Sequence, residues 1–309
     1  MEEELWLACS NGNVEEVRRL LQNLQINFNW QNDSQYLSTP FHIACSKGQI
    51  DVVKLLLNDN RVDVNQVNNG YWTPFLIACN NEHIGIVKLL LNDNRVDITQ
   101  ADNLDWTPFH IVCCNGYIEI VKLLLNDQRV DINRITNRGY TPFSRACYNG
   151  HIETVKLLLN DNRVEVNKED SDGKTPFYVA CENGRHIEIL KLLLNDNRVD
   201  INQVSNDGST PFLIACSHGK TEVVKYLLES GREIDFNKKD NDGKTGLDWV
   251  REKGNTDIVE LIESFKKRIE DGKKSYKTEK EVTKEKRKLE EEEEERKERE
   301  SKSSFLIFL

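Results

Sequence analysis

The chain has 309 residues, 52 of them acidic and 42 basic, for a formal net charge of −10, and 38% of it is hydrophobic. A chain this acidic is a poor candidate for nonspecific nucleic-acid binding, which rewards basic surfaces. No apolar run approaches the roughly 20 residues needed to cross a bilayer, and the acidic start "MEEELWLACS" lacks the basic and apolar regions of a secretory leader.

In chain order, the first element is "EELWLACSNGNVEEVRRLL" (3–21), which aligns with "TPFHIACSKGQIDVVKLLL" (39–57) as a degenerate copy of it. Thr-Pro then recurs roughly every 34 residues, at Thr39, Thr73, Thr107, Thr141, Thr175 and Thr210, and Thr245-Gly246 continues the series. Eight units therefore start near residues 3, 39, 73, 107, 141, 175, 210 and 245. Aliphatic residues cluster in short blocks such as "VVKLLL", as expected where each unit buries its apolar face only against its neighbours.

Each unit reads mechanically. Thr followed by Pro starts a helix, because the Thr hydroxyl accepts from an otherwise free N–H while Pro fits the first helical position. This short helix is expected to end at Gly48, Gly116, Gly150, Gly184 or Gly219, with Glu82 as the exception. A second helix follows, Ile50 to Leu57 in the second unit, with Ile50, Val53 and Leu57 on one apolar face. "NDNRVDVN" closes it, and Asn60, Asn94, Asn162 and Asn197 are expected to take the left-handed turn that Gly commonly supplies. Stretches such as "SDGK" and "NDGS" before the next Thr are turn chemistry.

These units resemble ankyrin repeats over residues 3–265, on Thr-Pro-Phe-His-Ile-Ala (39–44), Thr-Pro-Phe-His-Ile-Val (107–112), "GHIETVKLLL" (150–159) and "VDVN" (62–65). The resemblance implies an all-α repeat solenoid of stacked helix-turn-helix pairs joined by short β-hairpin-like loops, ending near 265 and followed by a charged tail (266–309). Most units exceed the family period by one residue in "NDNRVD", Arg185 is a further insertion, and "GREIDFN" lengthens a loop. All three fall in loops, where length changes cost little. Asp248 in the His column and Arg251 in the Cys column suit a terminal unit with a polar outer face.

His42 precedes Cys45 by one helical turn, which raises a zinc or thiol site. Seven of the eight cysteines, Cys9, Cys45, Cys79, Cys113, Cys147, Cys181 and Cys216, share that column, however, whereas His recurs in its own column only at His42 and His110. A small buried hydrophobe is the expected role. Helix spacing of about 8–10 Å keeps the copies too far apart for disulfides. Cys114 lies outside the column and is the one candidate reactive thiol; His83, His151 and His186 read as local hydrogen-bonding groups. There is no phosphate-binding Gly-rich loop, zinc-protease helix or nucleophile elbow. No enzyme, metal or cofactor is expected, and the compartment is expected to be reducing and cytoplasmic.

The resemblance places the binding surface on the concave side, at the hairpin tips and the exposed face of each first helix. The tip residues are Ser38, Trp72, Trp106, Tyr140, Lys174, Ser209 and Lys244, with Tyr71 beside Trp72; Tyr148, Asn80, Asn81, Cys114 and Asn115 lie at first-helix ends. Aromatic groups dominate interface hot spots. Packing of Trp72, Trp106 and Tyr140 on one another to stiffen the tips is the alternative. Arg61, Arg95, Arg129, Arg163 and Arg198, each near an Asp, read as a solvated, locally paired loop.

The tail carries Ile269, Tyr276, Val282 and Leu289, one apolar residue per heptad where a coiled coil wants two. A solvated helix or disorder is expected, leaving a monomer, with dimerisation through the tail as the alternative. "FLIFL" (305–309) could be a docking motif or a ragged end. The expected function is that of a non-enzymatic protein-interaction adaptor, its acidity favouring a partner with a basic patch. The alternative is the regulatory or targeting portion of a larger signalling protein.

Overall fold

The computed structural model describes residues 1–271. It is all-α: among the described residues the β structure amounts to one isolated antiparallel bridge, Asn32 with Ser38. The helices are α1 (Glu2–Asn11), α2 (Val14–Leu21), α3 (Pro40–Ser46), α4 (Ile50–Leu57), α5 (Pro74–Asn80), α6 (Ile84–Leu91), α7 (Pro108–Asn115), α8 (Ile118–Leu125), α9 (Pro142–Asn149), α10 (Ile152–Leu159), α11 (Pro176–Asn183), α12 (Ile187–Asn195), α13 (Pro211–Ser217), α14 (Thr221–Glu229) and α15 (Gly246–Glu252). Residues 256–271 are also helical. The tail beyond 271, with its seam residues Tyr276, Val282 and Leu289 and the closing apolar run Phe305 to Leu309, lies outside the described residues.

The chain divides into two compact bodies, Met1–Trp249 and a second starting at Val250. In the second, Arg251 pairs with Glu263 at 2.7 Å. In the first, the odd-numbered helices from α1 to α13 pack side by side in one row and the even-numbered helices from α2 to α14 in another. Their order in space is their order in sequence, the signature of a repeat stack.

Every Thr-Pro start caps as its chemistry dictates: Thr39, Thr73, Thr107, Thr141, Thr175 and Thr210 accept the N–H three residues on. Asp248 returns the bond to Thr245 at 2.9 Å, doing for the last copy what His42 does for the second. The Phe after each Pro, from Phe41 to Phe212, is at most 2% exposed and forms the spine of the core. The column cysteines are fully buried free thiols, and burial raises all of their pKa values, Cys9 and Cys216 to about 12.

The turns after the first helices use the left-handed region as expected. Gly48, Gly116, Gly150, Gly184 and Gly219 have φ between 63° and 81°, and Glu82 adopts φ 56° in the same column. The expectation for Asn60, Asn94, Asn162 and Asn197 is overturned, since none of them has positive φ. The chain leaves α4 in the right-handed region, with Asp59 N–H donating to Leu56 O and Val62 N–H to Asp59 O.

No left-handed wrap is needed there because the helix's last carbonyls are taken from outside. Arg61 donates to Leu21 O at 2.7 Å, Arg95 to Leu57 O at 2.5 Å, Arg129 to Leu91 O at 3.0 Å, Arg163 to Leu125 O at 2.9 Å and Arg198 to Leu159 O at 2.5 Å. Each also grips the Asp two residues before it, as Arg95 does Asp93 at 2.6 Å. The local pairing expected for these arginines is present, but a purely solvated loop is not. Each guanidinium fork spans two units and caps the C-terminus of the preceding second helix.

Asparagines form a parallel ladder. Asn65 donates to Arg95 O at 2.7 Å and accepts from Asp97 N at 2.8 Å; Asn29, Asn133, Asn167 and Asn202 repeat the pattern.

Candidate functional site

The hairpin-like tips are built by short polar side chains. Asn68 Oδ1 accepts from Gly70 N at 2.9 Å and Trp72 N at 3.0 Å, while Asn68 N–H closes on Trp72 O. Asp102, Asp170 and Asp240 do the same for their own tips. The residue before each tip residue is left-handed: Gly139, Gly173, Gly208 and Gly243 satisfy this, whereas Leu37, Tyr71 and Asp105 adopt φ of 56°, 61° and 60° without being Gly. Backbone bonds join most adjacent tips, such as Asn69 N–H to Tyr36 O, Asn137 N–H to Leu104 O and Ser171 N–H to Arg138 O, but among the described residues none joins the tip of Trp72 to that of Trp106. The side chains projecting from them are therefore held on two runs of linked tips, one ending at Trp72 and one running from Trp106 to Lys244.

The histidines belong to that scaffold. His42 Nδ1 accepts from Thr39 N–H at 3.1 Å, so its Nε2 carries the proton and donates to Trp72 O at 3.0 Å, in the next unit. His110 bonds Thr107 and Tyr140 O identically. Burial lowers both pKa values to about 4. With both nitrogens engaged, neither ring is free to ligate a metal or act as a base. Among the described residues, no three His, Cys, Asp or Glu side chains converge as a metal site would require. His83 and His151 bond across units, to Ser46 O at 2.9 Å and Cys114 O at 2.7 Å, rather than locally. His186 packs against Gly150 of the preceding unit.

The ten sequence-selected residues fall into separate groups. Tyr71 is 57% exposed and Tyr148 45% exposed, while Trp72, Trp106, Tyr140 and Lys174 are half-buried. Trp106 tilts onto His110 of its own unit, with ring centroids 5.9 Å apart, and Tyr140 faces Arg145, so these two rings engage their own units instead of stacking on each other. Asn81 donates to Ser46 O at 3.2 Å and Asn80 to Asn81 at 3.3 Å, so these amides serve the stack. Asn115 is exposed. Cys114 is half-buried and accepts from Asn149 at 3.1 Å; burial raises its pKa, with Arg145 and the Asn149 bond opposing. A thiol with a raised pKa is not an activated nucleophile, which corrects its candidacy as a reactive group.

Two clefts open on the tip side. One, of about 440 Å³, lies between the second and third units and is lined by Tyr36, His42, Ile43, Asn68, Trp72 and Ile77. The other, of about 200 Å³, joins Tyr140, Tyr148 and Lys174 with Arg145, Asp170, Asp172 and Glu182. In it Lys174 meets Glu182 at 2.9 Å; burial works against the lysine charge, but the Glu182 carboxylate overrides it and raises the pKa. Burial also raises the Asp170 pKa, against the N–H bonds it accepts. Arg145 lies 4.4 Å from the Tyr140 ring centre and 4.5 Å from that of Tyr148.

Arg145 and Tyr36 were not among the residues selected from the sequence. The signal for Arg145 was available, because it interrupts a column otherwise occupied by Ile43, Ile77, Ile111, Val179 and Ile214. Tyr36 lies in a longer loop outside the repeat register and gave none. Among the described residues, no helix is long and apolar enough to cross a membrane.

Comparison with known proteins agrees with this architecture. The family model for ankyrin repeats matches residues 3–68, 59–136, 128–205 and 186–271. A search of curated proteins finds no match. Among solved structures, the crystal structure of the ankyrin repeat domain of Bcl-3, described as a unique member of the IkappaB protein family, superposes with a TM-score of 0.65. The two are 24% identical, and the match covers 73% of this chain and 98% of the other. At that identity the likeness speaks for the fold. Ankyrin repeats are protein-interaction modules, and with family matches running from residue 3 to 271 this chain belongs to the ankyrin-repeat family.

Proposed function

We propose that this chain is a non-enzymatic adaptor that binds a partner protein on the face formed by its tips and first-helix ends, across the third to fifth units. The observation carrying this reading is the set of large aromatic side chains standing partly or largely exposed, Tyr71, Trp72, Trp106 and Tyr140 on tips each closed by its own hydrogen bonds, and Tyr148 at the end of the neighbouring first helix. Such groups bury much area on binding at little cost in rotamer entropy, and a scaffold already ordered loses little more. Lys174, Asn80, Asn81, Cys114 and Asn115 border them. The acidity of the chain favours a partner with a basic patch. The protein acts as a cytoplasmic monomer.

Affinity purification with the full chain, followed by mass spectrometry, tests this. Trp72→Ala combined with Trp106→Ala is expected to lose the specific partners that the unmodified chain retains. If every specific partner survives the double substitution, the binding face lies elsewhere.

A further inference from the structure

We infer that the cleft around Arg145 is a subsite for a single carboxylate side chain of an extended partner segment. This rests on the reading of the tip side as the binding face and deepens it. Six loop arginines, from Arg61 to Arg232, are each spent on backbone carbonyls of the preceding unit. Arg145 is not. Among the described residues its guanidinium has no ion-pair or hydrogen-bond partner, and its Nε is buried without one. The flanking Tyr140 and Tyr148 faces, at 4.4 Å and 4.5 Å, hold the plane by cation–π contact but accept no directed hydrogen bond in place of water.

A planar, half-buried, unpaired guanidinium clamped between two rings is preorganised for a bidentate acceptor, and a carboxylate matches that fork. The surroundings select the charge. Glu182 is neutralised by Lys174 at 2.9 Å, but Asp170 and Asp172 also line the cleft. Their field tolerates one negative charge facing Arg145 and opposes the two of a phosphate ester. The site is thus a cationic point on an acidic chain, suited to a Glu or Asp in a segment that meets Trp72 and Trp106 with its other residues.

The full chain is panned against three immobilised nine-residue peptide libraries that are random except for a central Glu, Gln or phosphoserine. Retention on the Glu library is expected to exceed that on the Gln library by about tenfold or more, as a charge-assisted hydrogen bond implies. Phosphoserine should give no gain over Gln. Arg145→Ile places in this column the residue that already stands at positions 43, 77, 111 and 214, and should fold with an unchanged or higher melting temperature while abolishing the preference for Glu. If that variant fails to fold, Arg145→Gln replaces it. Equal retention of Glu and Gln, a Glu preference that survives loss of Arg145, or a preference for phosphoserine each overturns the assignment. Peptides whose capture depends on Trp72 and Trp106 but not on Arg145 would leave the binding face standing and remove only this subsite.

Discussion

Arg95 Nη2 donates to the Leu57 carbonyl at 2.5 Å across a separation of 38 residues and to Asp93 at 2.6 Å, while Arg95 Nε holds the same carboxylate at 3.0 Å. One side chain thus caps the preceding second helix and fixes its own turn. Replacing Arg95 with Ala leaves a carbonyl and a carboxylate without their cation and is expected to destabilise the stack by about 1–2 kcal/mol. Arg95→Lys should recover little of this, because an ammonium cannot reproduce the fork. Urea midpoints for the three proteins measure the effect, and Lys and Ala variants indistinguishable from the unmodified chain would refute the inter-unit role.

His42 and His110 give the fold a dependence on pH. Their folded pKa values of about 4 lie below the ordinary 6.5. Between these limits the unfolded chain binds protons that the folded chain refuses. Their contribution is therefore complete above pH 6.5 and is lost as pH falls toward 4, by at most about 1.4 kcal/mol per pH unit for each ring. The aspartates held low by the loop arginines, such as Asp59 and Asp93, lose their contribution only below the ordinary carboxylate value of 3.8, so the windows separate. His42→Leu with His110→Leu, matching Leu76 and Leu213 in the same column, should flatten the decline in stability from pH 6.5 to 4.5. Parallel declines for the two proteins would show that burial does not depress these histidines.

Much of this architecture is legible because it is local and periodic. Thr39 and Pro40 state a helix start in two letters, Gly48 and Gly116 mark the left-handed exits, and the repeated cysteines identify themselves as packing by their register. The arginine staple is illegible for a definite reason. Its partner is a backbone carbonyl, which has no letter, and Asp59 two residues before Arg61 offers a sufficient local explanation. The misreading of Asn60 has the same root, since an exit that requires no left-handed residue is set by Arg95 arriving from the next unit. Within the second cleft Arg145 and Tyr148 stand one turn apart on α9, with Tyr140 just before it, so their shared face was readable, whereas the approach of Lys174, Asp170 and Glu182 from the next unit depends on how neighbouring units pack.

Glu82 occupies a column in which Gly48, Gly116 and Gly150 stand, at φ 56°. A side chain in that region costs about 1 kcal/mol. Glu82→Gly is expected to stabilise the protein by roughly 0.5 kcal/mol after the greater freedom of the unfolded Gly is subtracted. Gly116→Ala should do the opposite, by about 2 kcal/mol, because its Cβ would collide with the His151 ring at φ 74°. Thermal melts of both variants check the pair of signs, and stabilisation by Ala at 116 would contradict the steric argument.

The asparagine ladder is interrupted once, at Thr99, whose hydroxyl turns back to Asp97 at 2.7 Å. In the neighbouring units Asn65 and Asn133 reach forward to the Arg95 and Arg163 carbonyls. Where that reach is missing, a cleft of about 180 Å³ opens beside Ile98, Thr99, Arg129 and Val130. Val130 is half-buried there, whereas Val96 and Val164 in the same column are 4% and 5% exposed. An amide at this position could donate to Arg129 O and accept from Asp131 N, as its counterparts do one unit away. Thr99→Asn is therefore expected to raise stability by about 1 kcal/mol, and Asn65→Thr, which makes the same interruption one unit earlier, to lower it by a similar amount. Hydrogen exchange at the Asp131 amide should slow in the first variant and that at Asp97 should quicken in the second. Unchanged exchange at both amides would mean that the ladder follows the packing of the units instead of helping to hold it.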